Sequence, residues 1–559
     1  MVPDVAGIDK RFDYLAPADT PVGALVRITL NGRRVGAWVV ETGVTPPAGV
    51  TLKPVNKVSS LGPPQDVIDV AEWASWRWAG RVRWLLKSAS PPVSVRGLPA
   101  PPAPGPPIVV PHSLPVGERL VVRTPPGDDG FWAVAAAAAR GNALVLAPSV
   151  SAAAFLAARL RRMGVPVALM PRDWGRAAAG GCVVVGVRSA AWAPVPGLSA
   201  VVVLDAHDEV YQEESAPTWN AWQVAAERAR RAGVQCLLLT PCPTLEQLAW
   251  GTLVTTTRSD ERAGWAVLDI VDQRKEDPRS GLFSPRLVAL LRGGGRVACI
   301  LNRKGRAKLL ACAACGELAR CERCQASVES WESAALRCRR CGLERPVVCQ
   351  NCGAQKLKLL RLGVSRVREE VEALAGEPVG DVTGESDEVP AARVLVGTEA
   401  LLHRLDSVDA VAFLDIDQEL LAPRYRAGEQ ALALLARASR LVGGRGSGTG
   451  GRVLVQTRVP HHEVLDAALH GDPGRLVAVE KERRQALGMP PFVALALVSG
   501  EAAGLFVEGL VSSEAVDVLG PDEGRWLVRA PDHDTLCSAL AAAPRPAGRL
   551  RVEVDPLRA

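Results

Sequence analysis

The chain has 559 residues, but it contains little lysine and no long apolar run. Only ten of its 66 basic residues are lysine, and none lies between Lys87 and Lys275. A phosphate-binding loop of the form GxxxxGKS or GxxxxGKT needs that lysine, so residues 88 to 274 cannot hold a standard one. Because no run of about 20 apolar residues and no charged-then-apolar start is present, neither a membrane span nor a signal peptide is indicated. The sequence therefore predicts a cytoplasmic protein.

Local patterns divide the chain into several modules. Short β-type runs separated by turns occupy residues 1 to 60, and residues 91 to 115 contain ten prolines, which is typical of a stiff linker. Beyond the linker, apolar strands alternate with helices, which predicts parallel sheets covered by helices on both faces. We therefore expect a multidomain α/β protein with a β-rich module and helical tail at 1–90, a linker at 91–117, one α/β lobe at 118–255, a second at 256–310 and 356–460, a cysteine-rich insertion at 311–355, and a C-terminal α/β domain at 461–559.

Eight of the 13 cysteines form four CxxC pairs within 41 residues. A CxxC turn presents two thiolates to one side of a tetrahedral Zn²⁺, and a second turn completes the site. Four pairs therefore predict two zinc ions per chain in closed, structural sites. Iron–sulfur clusters use other spacings, and redox CxxC pairs usually occur singly, so both are disfavoured. The predicted ligands are Cys312, Cys315, Cys321, Cys324, Cys338, Cys341, Cys349 and Cys352.

The spacing does not determine which pairs share an ion. The short stretch of 13 residues between Cys324 and Cys338 favours a nested arrangement. In that arrangement the inner four cysteines (Cys321, Cys324, Cys338, Cys341) hold one ion, and the outer four (Cys312, Cys315, Cys349, Cys352) hold the other.

Several segments in the same order resemble one family, the primosomal replication restart protein PriA. They include VGVRSA at 185–190, VLVGTEAL at 394–401, FLDIDQELLAPRYRAGEQ at 413–430 and ERRQALGMPPF at 482–492, and together they flank the cysteine-rich insertion. The resemblance implies a superfamily 2 helicase architecture. That architecture has a small N-terminal domain that binds DNA 3′ ends, two RecA-like lobes with a zinc insertion in the second, and a C-terminal domain. The family's winged-helix domain is expected to be absent, because only the Pro-rich linker stands in its place.

The motor motifs implied by this resemblance are altered. At the phosphate loop the chain reads TPPGDDGFW over 124–132, where two prolines remove N–H donors and two aspartates oppose phosphate. At motif II, Asp205 is kept as the Mg²⁺ ligand, but Ala206 replaces the glutamate that would orient water. At motif VI, Arg445 is kept while its outer partners are lost. Asp205 and Arg445 are therefore predicted as remnants of a nucleotide site, and the implied ATP and Mg²⁺ cofactors are disfavoured.

The N-terminal resemblance implies a pocket for the 3′-terminal nucleotide. Its predicted residues are Phe12, Asp13 and Tyr14, with Gly32 and Lys53 as further members. An aspartate can accept hydrogen bonds from a free 3′-hydroxyl, and an aromatic ring can stack on the terminal base. Without the family match, FDYL would be interpreted as a strand with two core aromatics.

These features predict a protein that binds abandoned replication forks, promotes primosome assembly and helps to reload the replicative helicase, without helicase activity. The alternatives are an active ATP-dependent 3′-to-5′ DNA helicase and a zinc-bearing interaction scaffold. The predicted partners are forked and single-stranded DNA and, by resemblance, primosome and replicative helicase components and single-stranded DNA-binding protein. A basic run beside the zinc segment could contact phosphates, namely Arg303, Lys304, Arg306 and Lys308.

Overall fold

The computed structural model describes residues 1–8, 10–46, 49, 51–103, 110, 113–277, 282–301, 309–331, 335–360, 367–382, 386, 388–448, 451–511 and 515–558. The predicted basic run at 303–308 lies outside these residues. Within the described ranges, no helix combines the length and the apolar character needed to cross a membrane.

The N-terminal module is a four-stranded antiparallel sheet followed by two helices. Its elements are β1 (Val2–Pro3), β2 (Leu25–Leu30), β3 (Arg33–Trp38), β4 (Lys57–Ser60), α1 (Gln65–Arg77) and α2 (Val82–Ala89), with strand order β1-β3-β2-β4. Asn31 and Gly32 turn the β2–β3 hairpin with φ values of 50° and 76°, as a tight hairpin turn requires. The predicted β-rich module is thereby confirmed. The described residues between Ala89 and Arg119 form neither helix nor strand.

A seven-stranded parallel sheet forms the first lobe, in the order β11-β5-β10-β9-β6-β8-β7. Its central strands carry almost wholly buried runs because helices cover both faces, whereas the edge strand at 252–255 is largely exposed. The elements are β5 (Arg119–Arg123), α3 (Phe131–Ala138), β6 (Asn142–Leu146), α4 (Val150–Arg162), β7 (Val167–Leu169), α5 (Trp174–Ala179), β8 (Val183–Gly186), β9 (Leu198–Val203), α6 (Ala221–Ala232), β10 (Gln235–Thr240), α7 (Leu245–Trp250) and β11 (Thr252–Thr255).

The second lobe begins before the cysteine-rich insertion and resumes after it. Its first part comprises α8 (Arg258–Gly264), β12 (Val267–Asp272), α9 (Pro285–Arg292) and β13 (Val297–Ile300). The insertion contains the short antiparallel strands β14 (Leu310–Cys312), β15 (Glu329–Trp331), β16 (Ala335–Arg337), β17 (Glu344–Pro346) and β18 (Leu357–Leu359).

After the insertion the second lobe is completed by α10 (Val367–Ala375), β19 (Gly380–Val382), β20 (Val394–Gly397), α11 (Glu399–Arg404), β21 (Ala410–Phe413), α12 (Asp417–Leu420), α13 (Ala427–Val442) and β22 (Arg452–Thr457). Its six strands are parallel in the order β12-β22-β21-β13-β20-β19. The insertion thus interrupts one continuous sheet, and the predicted pair of RecA-like lobes with an insertion in the second is confirmed.

The C-terminal α/β domain is a four-stranded antiparallel sheet with helices. The elements after the second lobe are α14 (Glu463–His470), α15 (Pro473–Leu487), β23 (Ala494–Ser499), α16 (Ala503–Val511), β24 (Asp517–Asp522), β25 (Arg525–Ala530), α17 (His533–Ala542) and β26 (Arg551–Val554). The strand order is β24-β25-β23-β26. A buried ion pair at 2.6 Å joins Arg77 of α1 to Asp555 beside β26, so this domain packs against the N-terminal module.

Candidate metal centres, inter-lobe cleft and DNA-binding module

The eight paired cysteines gather into two clusters of four in the nested arrangement. Within each cluster the sulfur atoms lie within 4.8 Å of one another. Two Sγ–Sγ distances in the outer cluster are 3.5 and 3.6 Å, and two in the inner cluster are 3.4 and 3.5 Å. Thiolates around a tetrahedral zinc stand about 3.8 Å apart, given a Zn–S bond of about 2.3 Å, whereas a disulfide joins sulfurs at about 2.05 Å. Both clusters therefore fit a four-thiolate Zn²⁺ site.

Each CxxC pair is shaped by the same local turn. The backbone N–H of the residue after the second cysteine donates to the carbonyl of the first, at 2.9 to 3.0 Å in all four pairs. That following residue has a positive φ of 61° to 75°, and it is glycine at 316, 342 and 353 and Gln325 in the remaining pair. Glycine adopts this backbone conformation without steric cost, so the local sequence favours three of the four metal-binding turns.

The two clusters differ in burial. In the outer cluster Cys315 and Cys352 are exposed, whereas Cys321, Cys324 and Cys338 of the inner cluster are at most 1% exposed. The inner cluster also lies against the second lobe. There the buried Arg340 donates to the carbonyls of Cys324 at 3.2 Å and Ala422 at 2.8 Å, and Ser327 N donates to Leu421 O at 2.9 Å. The inner metal site is therefore built into the packing between insertion and lobe.

In the first lobe, the loop that stands where a phosphate loop is expected uses its backbone amides to bind its own aspartate side chains. Asp128 Oδ1 accepts from Gly130 N at 2.8 Å, and Asp129 Oδ1 accepts from Phe131 N at 3.0 Å, where α3 begins. Amides at a helix N-terminus are the groups that hold a phosphate in a working loop. Here two side-chain carboxylates occupy them, and Asp129 also forms an ion pair with Arg159.

Across the cleft, Arg440 of α13 binds Asp205 of the first lobe. Its two terminal nitrogens lie 2.6 and 2.7 Å from the carboxylate oxygens, and its Nε donates to Pro126 O at 2.6 Å. Burial raises the pKa of Asp205, but the charge and hydrogen bonds of Arg440 outweigh it and lower the pKa to about 2. A carboxylate bound bidentately by a guanidinium has both oxygens engaged, which competes with coordination of Mg²⁺.

His207, two residues after Asp205, and the predicted Arg445 have other partners. His207 Nδ1 lies 2.9 Å from Thr240 Oγ1, and burial lowers the pKa of this histidine. Arg445 donates to the carbonyls of Arg262 at 3.2 Å and Leu469 at 2.9 Å. Arg440, which the sequence reasoning missed, is thus the arginine at Asp205. The available signal was its place near the end of a mostly apolar helix, one turn after Arg437.

A cavity of about 670 Å³ separates the lobes beside this contact. Its walls include Asp205, Asp208 and Gln247 from the first lobe and Arg437 and Arg440 from the second. Charges of both signs face it, so the cavity is not a simple anion pocket.

In the N-terminal module, the predicted 3′-end residues come from two paired segments and a hairpin. Leu15 N donates to Lys53 O at 2.9 Å, which sets the segment of Phe12, Asp13 and Tyr14 beside Lys53. The half-buried Tyr14 donates its hydroxyl to Thr29 O at 2.9 Å, and burial raises its pKa.

The side chains of Asp13 and Lys53 are exposed, and Phe12 is half-buried. Gly32 lies at the tip of the β2–β3 hairpin, with open space where a Cβ would stand. Tyr14 therefore belongs to the support of this surface, while Phe12 and Asp13 are accessible to a ligand.

Comparison with known proteins points to one family. Residues 2–91 match the family model described as 3′DNA-binding domain (3′BD). The probable replication restart protein PriA of Mycobacterium tuberculosis (strain CDC 1551 / Oshkosh) is 28% identical over 89% of this chain and 86% of its own length.

Other relatives match over less of their length. Replication restart protein PriA of Thermotoga maritima is 28% identical over 63% of this chain and 52% of its own. That of Haemophilus influenzae is 26% identical over 59% and 49%. The chain spans about half the length of these two relatives. Among solved structures, S. cerevisiae Dbp5 bound to RNA and ADP BeF3 overlaps 66% of this chain and 89% of its own, at 12% identity and a TM-score of 0.37.

Proposed function

We propose that this chain is a member of the replication restart protein PriA family and that it acts at abandoned replication forks without being a motor. It would bind forked or single-stranded DNA in the cytoplasm, promote primosome assembly and help to reload the replicative helicase. Primosome and replicative helicase components and single-stranded DNA-binding protein are the partners proposed. The zinc-bearing insertion, with its accessible outer cluster, is the proposed docking element for these proteins.

The observation that carries the non-motor part is the state of the inter-lobe cleft. The amides where α3 begins bind Asp128 and Asp129, and Asp205 binds Arg440. ATP hydrolysis needs those amides and a lysine for the phosphates, and a carboxylate free for Mg²⁺. In this protein side chains occupy the amides and the carboxylate, and the lysine is missing. We therefore expect no DNA-stimulated ATP turnover.

The DNA-binding part rests on the N-terminal module. Asp13 offers an exposed carboxylate beside the half-buried ring of Phe12, on a segment anchored by Tyr14. In the proposed site Asp13 accepts from the 3′-hydroxyl and Phe12 stacks on the terminal base. Lys53 contacts a phosphate, and the turn at Gly32 leaves room for the nucleotide.

Fork binding tests this proposal. Asp13→Ala should weaken binding to forks with a free leading-strand 3′ end by roughly 10- to 150-fold, since a hydrogen bond to a charged group contributes about 1.5 to 3 kcal/mol. Forks without that end should bind both proteins alike through phosphate contacts. A 3′-phosphate on the DNA should mimic the substitution, because a carboxylate repels it.

Asp19→Ala is the matched control, because Asp19 is an exposed aspartate of the same module outside the predicted pocket. It should bind all forks like the wild type. Equal binding of free, blocked and absent 3′ ends by the wild type would contradict the 3′-end site and favour an interaction scaffold. ATP-driven unwinding would favour the active helicase instead.

A further inference from the structure

One helix of the second lobe makes polar contacts with the first lobe near both of its ends. Within and just before α13, four residues reach the first lobe, and we call them the α13 seam: Arg426, Glu429, Gln430 and Arg440. Arg426 lies 3.0 Å from Glu246, and Glu429 accepts from Leu245 N at 2.8 Å. Gln430 donates to Glu209, and Arg440 binds Asp205. The partners come from α7 and from the loop after β9.

The seam contacts lie at both ends of the helix. Residues 426 to 430 and residue 440 are separated by about 15 Å along a helix that rises about 1.5 Å per residue. If contacts were present at one end of the helix only, the lobes could rotate about that end and open the other. Contacts at both ends oppose rotation in either direction. The α13 seam therefore opposes relative rotation of the two lobes and does not serve as a hinge.

The seam is backed by further buried charges. Glu429 also pairs with Arg484 of α15 at 2.6 Å, and the Arg484 side chain is only 1% exposed. Close backbone packing reinforces the closed arrangement, because a Cβ at Gly264 would stand 2.4 Å from the Pro125 side chain. Opening the cleft would break several ion pairs and charge-assisted hydrogen bonds at once and replace them with contacts to water.

We infer that the α13 seam holds the two lobes closed in the absence of nucleotide, with Arg440 in the place of the ligand that would bridge them in a motor. This inference rests on the proposed non-motor function and extends it. The lobes would form a fixed frame that keeps the N-terminal module and the zinc-bearing insertion at a constant separation. The protein would then recognise the shape of the fork through the fixed positions of these two modules, without opening and closing of the lobes.

Hydrogen–deuterium exchange of the full-length, zinc-loaded protein tests the closure. In the wild type, exchange at residues 124–130 and 205–209 should be slow without nucleotide and unchanged by a non-hydrolysable ATP analogue with Mg²⁺. Arg440→Gln should speed exchange there by about tenfold or more, because it removes charge-assisted hydrogen bonds. Exchange in β21, inside the second lobe, should be unaffected.

Two further variants complete the test. Asp205→Asn removes the same contact from the first lobe and is nearly isosteric, so it serves if Arg440→Gln folds poorly. The double variant should exchange no faster than either single one, as expected for residues that act as a pair. Arg475→Gln is the matched control, because Arg475 forms an ion pair with Asp466 at the same 2.6 Å but on an exposed surface away from the cleft.

Two results would overturn the inference: protection of the wild-type cleft by the ATP analogue, or wild-type exchange in both Arg440→Gln and Asp205→Asn. These outcomes are distinct from failure of the proposed function. ATP turnover or loss of 3′-end preference is measured in separate assays, and neither reports on closure of the nucleotide-free protein.

Discussion

The cysteine-rich segment and the inter-lobe cleft bring functional groups together by different routes. All eight thiolates come from 41 consecutive residues, and each pair is shaped by its own backbone turn. Asp205 and Arg440 are 235 residues apart, and they meet only because two separately formed sheets pack against each other. Local spacing is therefore sufficient to identify the first kind of site. For the inter-lobe cleft, the sequence indicates that the lysine of a phosphate loop is missing, but it does not indicate that Arg440 binds Asp205.

The largest expected effect is loss of the inner metal site. Cys321→Ser should leave one zinc ion per chain and strongly destabilise the second lobe, since zinc binding to structural sites contributes about 10 to 16 kcal/mol at neutral pH. Metal analysis and thermal unfolding measure both effects. Cys299→Ser, at a buried thiol of β13 outside the clusters, should keep two zinc ions. Bound iron, or two ions in Cys321→Ser, would contradict the two-site interpretation.

The next effect concerns the cleft, where the expected outcome is absence of activity. The wild type should not hydrolyse ATP above background with or without forked DNA. In related phosphoryl-transfer enzymes a transition-state arginine alone contributes about 10³- to 10⁵-fold in rate, and here the phosphate loop is altered as well. A DNA-dependent ATPase serves as the positive control. ATP turnover of about 1 s⁻¹ would show that the cleft is catalytic and would contradict this prediction.

A smaller effect is expected on the free energy of unfolding at acid pH, through the ion pair of Asp205 and Arg440 in the cleft. The pKa of folded Asp205 is about 2, below its ordinary value of 3.8, so its ion pair adds stability that is complete above about pH 4. That contribution, about 2 kcal/mol, should disappear as the pH falls from about 4 to 2. Urea unfolding of wild type and Asp205→Asn should therefore differ at neutral pH and converge in acid. Zinc loss in acid affects both proteins equally. A difference in unfolding free energy that stays constant from neutral pH to about pH 2 would contradict the role assigned to the Asp205 ion pair.

The smallest effect separates the two zinc sites from each other. A chelator should remove the outer ion faster than the inner one, because Cys315 and Cys352 are exposed while Cys321, Cys324 and Cys338 of the inner cluster are almost wholly buried. Release should therefore be biphasic when followed with a colorimetric zinc indicator. Cys352→Ser should eliminate the fast phase, and Cys321→Ser the slow phase. A single phase in the wild type would show that burial does not control access.

Much of the architecture could be predicted from sequence patterns alone. Alternating strands and helices indicate two parallel sheets, since covered strands must be apolar on both faces. The exposed Asp13 and the supporting Tyr14 could not be told apart in this way, because both belong to one short motif. Only the hydrogen bond from Tyr14 to Thr29 separates the residue that supports the surface from those accessible to DNA.

The sequence by itself determined which eight cysteines form the two clusters and which residue types stand at 124–132. Both depend on residue types within a few positions of one another, and the backbone turns that use them are local. Tertiary structure alone decided that the inner zinc site is buried against the second lobe, and that Arg440 rather than Arg445 binds Asp205. Those outcomes depend on how whole elements pack, and packing brings together side chains whose separation along the chain carries no signal of their contact.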